Sequence, residues 1–292
     1  MSPLKSTLAL WQRQLGRGSV RLLVYSVLIL WTAITLFGFT WVVLTSLKSN
    51  RELFTIKSIW GLPEVLQWEN YVRAWTRSKM GNFLLNSVLV STASVLLINL
   101  VGSMAAYVLA RFRFAGNRLI LGGFILGSAI PLQLIAVPLY LMFNDLGLLD
   151  SLVGLTMVYV AVSLPFTVFV LTGFFKSIPT ALEEAAVLDG ASEYGVFWHV
   201  MLPLAAPGVT TVTIFNFLGV WNEYLLALML INETDKMTIP LGLYNLQVVQ
   251  EYAADFTGLF AGFVIMLLPT IAAFIVLQER ISRGMTVGAL KG

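Results

Sequence analysis

Side chains able to carry out acid–base or nucleophilic catalysis are scarce in this sequence. Its 292 residues include one histidine, His199, and no cysteine, which excludes disulfides, thiolate metal sites and thiol catalysis. There is neither a phosphate-binding G-x-x-x-x-G-K-[ST] loop nor an H-E-x-x-H zinc motif. His199 lies between two apolar runs, which disfavours a Ser–His pair inside a membrane. An intramembrane aspartyl pair is excluded as well, because all five aspartates lie outside the apolar runs: Asp145, Asp150, Asp189, Asp235 and Asp255. We therefore predict no catalytic residue and no metal site in this chain.

One acid, Glu223, falls inside an apolar run, in the segment Trp221-Asn222-Glu223-Tyr224. A charge within a membrane is expensive, and it is usually buried in protein or faces water. Two interpretations stay open. Either these four side chains line a pathway and bind a polar solute by stacking and hydrogen bonds, or Glu223 makes a structural hydrogen bond between helices or to another subunit.

The connection 176–203 has the clearest local signals. Thr180 followed by Glu183 matches a capping box and predicts a helix from about Ala181. Gly190 is placed to end that helix, and Ser192 to cap a second short helix that runs toward Pro203. A helix of about eight residues is marginal in water. It must therefore gain stability from the rest of the protein or from a partner, which allows either a docking element or an ordinary surface helix.

The elements that position these residues are long apolar runs. Hydrophobic residues make up 58% of the chain and charged residues 11%, whereas soluble domains carry about 25% charged residues. A bilayer core of about 30 Å requires about 20 helical residues. Six runs qualify: Leu22–Leu47, Leu84–Ala110, Leu119–Phe143, Leu152–Phe175, Leu204–Ile231 and Thr257–Leu277. This pattern excludes an ordinary soluble enzyme and predicts an all-α, polytopic membrane bundle of six transmembrane helices.

Prolines and small residues indicate that the apolar runs do more than anchor the chain in the membrane. Closely spaced small residues such as Gly102 and Ala106 allow helix backbones to approach one another. Either ordinary bundle packing or helices that bend during transport would explain the pattern. The prolines predicted to interrupt the third, fourth and sixth runs are Pro131, Pro138, Pro165 and Pro269.

The distribution of Lys and Arg predicts the orientation, since these residues favour the cytoplasmic side. With both termini inside, eleven of the 18 basic residues are cytoplasmic, but the basic connection 48–83 breaks the rule. The predicted parts are a cytoplasmic amphipathic arm at 1–21, a six-span domain at 22–278 and a cytoplasmic tail at 279–292.

The connection also carries a family resemblance. Glu184-Ala185-Ala186, Asp189-Gly190-Ala191, Phe197, Leu202-Pro203 and Pro207 together resemble the EAA loop of bacterial ABC importer permeases. Further segments resemble the carbohydrate branch of that family, of the maltose and glycerol-phosphate type, and its shorter six-span subunit. They are Asn70-Tyr71, Asn86-Ser87, Trp221-Asn222-Glu223-Tyr224 and the tail Gly288-Ala289-Leu290-Lys291-Gly292.

The resemblance implies a non-enzymatic subunit of the bacterial inner membrane. Its loop would couple closure of a cytosolic ABC ATPase dimer, which holds ATP and Mg, to alternating access of the permease. The other implied partners are a second permease subunit, an extracytoplasmic solute-binding protein, the bilayer and a sugar, with no cofactor in this chain and no nucleic acid.

The implied coupling residues are Glu183, Glu184, Ala185, Ala186, Asp189, Gly190, Ala191 and Phe197, with Ala185 and Ala186 entering a cleft of the ATPase. Trp221, Asn222, Glu223 and Tyr224 are candidates for the sugar pathway. The alternatives are an importer of another solute or, without the resemblance, a self-sufficient channel or secondary transporter.

Overall fold

The computed structural model describes residues 3–55, 60–76, 79–253 and 255–289, and every regular element within them is helical. A π turn spans Phe197–Met201, and a 3-10 turn spans Thr234–Lys236. The α-helices are α1 (Pro3–Ser46), α2 (Asn50–Leu53), α3 (Glu69–Thr76), α4 (Met80–Arg111), α5 (Asn117–Ser128), α6 (Leu132–Asp145), α7 (Leu152–Ser177), α8 (Thr180–Leu188), α9 (Glu193–Val196), α10 (Leu202–Leu204), α11 (Ala206–Trp221), α12 (Leu225–Leu230), α13 (Ile239–Ala253) and α14 (Phe256–Ala289).

Among the described residues, three helices are long and apolar enough to cross a membrane: Val20–Ser46 of α1, α4 and α7. The count rises to five when each of two bent pairs is taken as one span. These pairs are α5 with α6, bent by 103°, and Glu193–Leu204 with α11, bent by 73°. The sixth predicted run lies in α14, whose first part, Phe256–Ala272, is a shorter apolar helix. The structure thus has the predicted all-α organisation with several apolar helices.

The prolines of the apolar runs differ in their effect. Pro131 stands at the N-cap of α6, beside the 103° bend, because proline lacks an amide donor and disfavours helix in the residue before it. Pro138, Pro165 and Pro269 lie inside α6, α7 and α14, which continue through them. These three prolines therefore do not end their helices, and bending of these helices during transport stays a prediction. Neighbouring groups in a bundle can satisfy the carbonyl that a proline frees.

The fifth run is also broken, between α11 and α12. Asn222 is the C-cap of α11, and its side-chain amide donates to the Leu218 carbonyl at 2.8 Å. The chain then passes through Glu223 and Tyr224 before α12 begins at Leu225. A single straight span over Leu204–Ile231 was thus the wrong prediction, since apolar composition does not show where a backbone turns.

Helices α4 and α7 pack closely along the centre of the bundle. Gly102 of α4 is buried, and a Cβ atom there would lie 2.7 Å from the Thr167 Cγ2 atom of α7. A larger residue at this position would push the helices apart. By contrast, α1 packs along α14, for example through an edge-to-face contact of Trp41 with Phe260, and most described side chains of Val20–Ser46 are exposed.

A small lobe, formed by α2, α3 and the described residues beside them at 47–55 and 60–76, lies at the Met80 end of α4. Asn70 donates to the carbonyls of Ser46 and Lys48 at 2.7 and 2.8 Å, which fixes the end of α1. Arg73 pairs with Asp255, just before α14, at 3.1 Å. Partial burial raises the pKa of Asp255, but hydrogen bonds from Arg73 and Asn50 outweigh this effect and hold the pKa below its ordinary value.

Candidate functional site

Helix α8 is the centre of the predicted coupling loop. It begins at Thr180, after an N-cap at Pro179 that makes no side-chain cap. The predicted capping box of Thr180 with Glu183 is therefore wrong. Thr180 is itself the first helical residue, and the Glu183 carboxylate pairs with Arg111 of α4 instead.

The end of α8 agrees with the sequence prediction. Gly190 has φ +87°, in the left-handed region that glycine adopts at no steric cost. Its amide donates to the Val187 carbonyl, and the Ala191 amide donates to the Ala186 carbonyl, both at 3.0 Å. These two bonds form a Schellman motif. Ser192 then caps α9, since its hydroxyl accepts from the Gly195 amide at 3.2 Å.

The two faces of α8 differ in exposure. Glu184, Ala185 and Asp189 are exposed, and Leu188 is 87% exposed. A short helix that presents leucine and alanine to the surroundings offers an apolar surface to a partner. On the other face, Glu183 and Ala186 are half-buried, and Ala186 packs against the bundle core.

Four predicted coupling residues face the bundle: Glu183, Ala186, Ala191 and Phe197. Ala186 and Ala191 pack against a core cluster that includes Phe175 and Met201, whereas Ala185 is exposed. Phe197 is only 5% exposed. The helical periodicity of the sequence does not reveal which of these residues face inward, because alanine suits a surface and a core equally well.

Phe197 belongs to an aromatic cluster that anchors the loop. Its ring centroid lies 5.2 Å from that of Tyr107 on α4 and 6.5 Å from that of Phe175 on α7. Tyr107 and Phe175 are themselves 5.6 Å apart. Phe197 thus helps to hold the loop against the ends of α4 and α7.

Phe197 also starts the π turn, and the Leu202 amide donates to its carbonyl. Turns of this kind occur inside helices often at functional sites. The following residue, Pro203, has no amide to donate, and the helix bends by 73° before α11. The only histidine of the chain, His199, lies in this turn, with Nδ1 3.1 Å from the Gly195 carbonyl oxygen.

Sequence reasoning missed the residue that joins α4 to this loop. The Arg111 Nη2 atom donates to the Ile178 carbonyl at 2.6 Å, and its Nε atom lies 3.2 Å from the Glu183 Oε2 atom. A cation at the end of a long apolar run was visible in the sequence. Three arginines lie close together there, however, at positions 111, 113 and 118. Nothing in the sequence shows which of them turns toward α8.

The four pathway candidates lie around the break between α11 and α12. The Glu223 carboxylate accepts hydrogen bonds from the Tyr159 hydroxyl at 2.8 Å and from the amides of Leu226 and Ala227 at 2.8 and 3.2 Å. Trp221 is 2% exposed. Asn222 is exposed, and the Tyr224 ring is 5.1 Å from that of Tyr244. The four side chains therefore lie in different environments.

Two residue pairs of the sequence resemblance, Asn86-Ser87 and Asn70-Tyr71, stabilise connections at the Met80 end of α4. The Asn86 amide group donates to the carbonyls of Asp235 and Met237 at 2.8 and 3.0 Å, and the Ser87 hydroxyl accepts from the Ile239 amide at 2.8 Å. Asn70 and Tyr71 act similarly in the lobe, where the Tyr71 hydroxyl lies 2.7 Å from the Ser46 hydroxyl. These segments hold loops to the bundle.

No cluster of three metal-ligating side chains occurs in the described part of the chain.

Comparisons with known proteins agree with this arrangement. A family described as "Binding-protein-dependent transport system inner membrane component" matches residues 77–287. The diacetylchitobiose uptake system permease protein NgcG of Streptomyces coelicolor is 40% identical over 267 residues, which cover 91% of this chain and 88% of that protein. The sulfoquinovosyl glycerol transport system permease protein SmoH of Agrobacterium fabrum is 37% identical over 88% of this chain and 89% of its own length.

The fold is also found in a solved structure. A bacterial ABC transporter involved in the import of the acidic polysaccharide alginate contains a chain that matches with a TM-score of 0.75 at 23% identity. The match covers 88% of this chain and 95% of that one. The family match and the two relatives cover most of the sequence, including the α8 loop. This chain therefore belongs to the family of inner-membrane components of binding-protein-dependent transport systems, which are transport subunits and not enzymes.

Proposed function

We propose that α8 docks on a cytosolic ABC ATPase and that this chain thereby drives import of a sugar or oligosaccharide. The observation that carries the proposal is the division of the loop into two faces. One face, with Glu184, Ala185 and Leu188, is exposed, while Phe197 and Ala186 anchor the other face to the bundle. A helix held in this way can transmit a push from a partner to α4 and α7.

The charges of the exposed face indicate the kind of surface that receives it. Glu184 and Asp189 are exposed at the two sides of Ala185 and Leu188. They would face basic groups at the rim of an apolar cleft, since opposite charges at an interface rim favour the correct partner and orientation. ATP and Mg would be held by that partner.

The cargo class rests on the relatives. The two relatives described above are named for uptake of diacetylchitobiose and for transport of sulfoquinovosyl glycerol, which are both glycosides. A carbohydrate is therefore the proposed cargo. A second permease subunit and an extracytoplasmic binding protein would complete the complex, with both termini of this chain, including the arm 1–21 and the tail 279–292, in the cytoplasm.

For Glu223 we favour the structural role over the pathway role. Its two oxygens already accept three hydrogen bonds, two of them from the first turn of α12. A carboxylate at a helix N-terminus is favourable, because the first amides lack partners within the helix. Contact of this subunit with the sugar would then rest mainly on Asn222 and Tyr224.

The test begins with the complex purified from native membranes through a tag on this chain. We expect an ABC ATPase, a second permease and a binding protein to copurify, as identified by mass spectrometry. Proteoliposomes with the copurified binding protein then receive radiolabelled diacetylchitobiose, trehalose, maltotriose and an amino acid as the control. Accumulation of at least one saccharide, dependent on ATP, is expected. Accumulation of the amino acid alone would refute the sugar assignment.

Glu184→Lys tests the docking role within the same complex. It reverses a charge on the exposed face of α8, and we expect loss of the ATPase or at least a tenfold drop in ATP-driven uptake. Glu69→Lys is the matched control, because Glu69 is an exposed acid of α3 in the lobe at the other end of α4. Equal ATPase recovery and equal uptake in both variants would refute docking through α8.

A further inference from the structure

Arg111 joins three elements at the α8 end of the bundle. It is the last residue of α4. One guanidinium nitrogen donates to the carbonyl of Ile178, in the link between α7 and α8, and another lies beside the Glu183 carboxylate in the first turn of α8. The Tyr107 hydroxyl, one turn earlier on α4, also interacts with Glu183. Helix α4 therefore contacts α8 through polar groups, in addition to its contact with the following π turn through Phe197.

The ion pair is shielded from water. The side chains of Arg111 and Glu183 are 9% and 17% exposed. Exposed ion pairs contribute little because water and salt screen them, whereas a pair with low exposure interacts more strongly. The fixed planar fork of arginine can serve a carboxylate and a carbonyl together, which the point charge of lysine cannot match. The position at the C-terminus of α4 adds a favourable interaction with the helix dipole.

We propose that Arg111 is a positioning residue that fixes α8 to α4, so that a force on α8 moves α4 and α7 together. The role in transport rests on the proposed docking of α8. Without Arg111, α8 would remain tied to α7 by residues 178–179 and to the core by Ala186 and Phe197. Among the described residues, the first turn of α8 would then keep only the interaction of Glu183 with Tyr107 as a polar contact with α4.

The contact completes a path across the bundle. Phe175 and Tyr107 join α7 to α4 beneath the loop. Further along, the close approach at Gly102 and Thr167 holds the same two helices together. Glu183 and Arg111 extend this path to α8, at the point where a partner would push. The neighbouring Arg113 is exposed and lies beyond the end of α4, so its charge has no comparable role.

The absence of cysteine permits a direct test of the geometry. Spin labels at Ala181→Cys on α8 and Ala115→Cys beyond α4, both exposed positions, report the distance between the two elements by pulsed EPR in the intact complex in nanodiscs. Arg111→Gln and Glu183→Gln should each broaden the distance distribution at least twofold. The double variant should broaden it no further, because either change alone removes the pair. Arg113→Gln is the matched control and should leave the distribution unchanged.

The same preparations report coupling. We expect the ratio of ATP hydrolysed to solute accumulated to rise at least threefold in Arg111→Gln and Glu183→Gln, with partial recovery in Arg111→Lys. If Arg111→Gln fails to assemble, the nearly isosteric Glu183→Gln carries the test alone. Distributions equal to that of Arg113→Gln, or additive broadening in the double variant, would overturn the proposal. Broadened distance distributions with an unchanged ratio of ATP hydrolysed to solute accumulated would support the fixing of α8 by Arg111. They would instead contradict docking through α8.

Discussion

Tyr159 of α7 donates a hydrogen bond of 2.8 Å to Glu223, in the break between α11 and α12. Tyr159 is 1% exposed, and the same carboxylate caps the first turn of α12. The turn that separates the two parts of the fifth apolar run is thereby fixed to the centre of the bundle. An acid that appeared misplaced in an apolar sequence thus has three partners, two of which are backbone amides.

The first prediction concerns this contact. Glu223→Ala should lower the stability of the complex by about 1–3 kcal/mol, because the Tyr159 hydroxyl and two amides lose their acceptor. Glu223→Gln should be milder, since its amide oxygen still accepts. Thermal unfolding and complex yield measure the effect, with Asn144→Ala at an exposed position as the control. Normal stability of Glu223→Gln with abolished sugar uptake would instead assign Glu223 to the pathway.

The second prediction concerns the turn after α8. Gly190→Pro should abolish coupled uptake, because proline cannot adopt φ +87° and removes the amide that donates to Val187. Gly190→Ala should cost about 1–2 kcal/mol through the left-handed backbone, with a partial loss of uptake. Gly116 has a similar φ of +90° but precedes α5. Gly116→Ala is therefore a control with matched backbone strain. If uptake in Gly116→Ala were as low as in Gly190→Ala, backbone strain in general, and not the position of α8, would explain the loss.

The third prediction concerns the aromatic anchor. Phe197→Ala removes a ring from a packed cluster, and such truncations cost about 3–5 kcal/mol in well-packed cores. We expect lower recovery of the complex and a lower midpoint of thermal unfolding, whereas Phe197→Leu should retain most of both. Tyr194→Ala is the control, because this side chain is 78% exposed. Equal midpoints for Phe197→Ala and Tyr194→Ala would show that the cluster does not anchor the loop.

The fourth prediction concerns acid sensitivity. The pKa of Asp255 is held below its ordinary value, so its stabilising contribution is complete above an unfolded-state pKa of about 4 and is lost as pH falls through the lower folded-state pKa. The thermal midpoint should therefore fall as the pH is lowered below about 4, and Asp255→Asn should flatten that part of the profile. Asp145→Asn, at an exposed aspartate, serves as the control. A profile of Asp255→Asn that parallels the unsubstituted protein would contradict this account of the Arg73 pair.

The fifth prediction concerns orientation. In this cysteine-free chain, Leu188→Cys should react with a membrane-impermeant maleimide only after the cells are opened, because the α8 loop faces the cytoplasm in the proposed arrangement. Asp235→Cys, in an exposed connection at the Met80 end of α4, should react in intact cells. Labelling of Leu188→Cys from outside would reverse the proposed topology.

The sequence predicted the helical class and the C-terminal end of α8 because both depend on local signals. Apolar runs of membrane length and a glycine followed by a capping serine each have one dominant structural meaning. Helix α8 begins within one residue of the predicted Ala181, but the capping box is absent because Glu183 pairs with Arg111, which is distant in sequence. In the same way, the partners of Glu223 on α7 and the inward direction of Ala186 depend on packing between elements, which no local pattern contains.

The sparse packing of α1 has a consequence for its dependence on the bilayer. Val20–Ser46 spans 27 residues, or about 40 Å at 1.5 Å per residue, which exceeds a hydrocarbon core of about 30 Å. The excess must be absorbed by tilt or by extension into the headgroups. Asn70 fixes the Ser46 end to the lobe, so that end acts as a pivot and the Val20 end makes the adjustment. The thickness of the host membrane, together with the packing of α1 along α14, therefore sets the inclination of this helix.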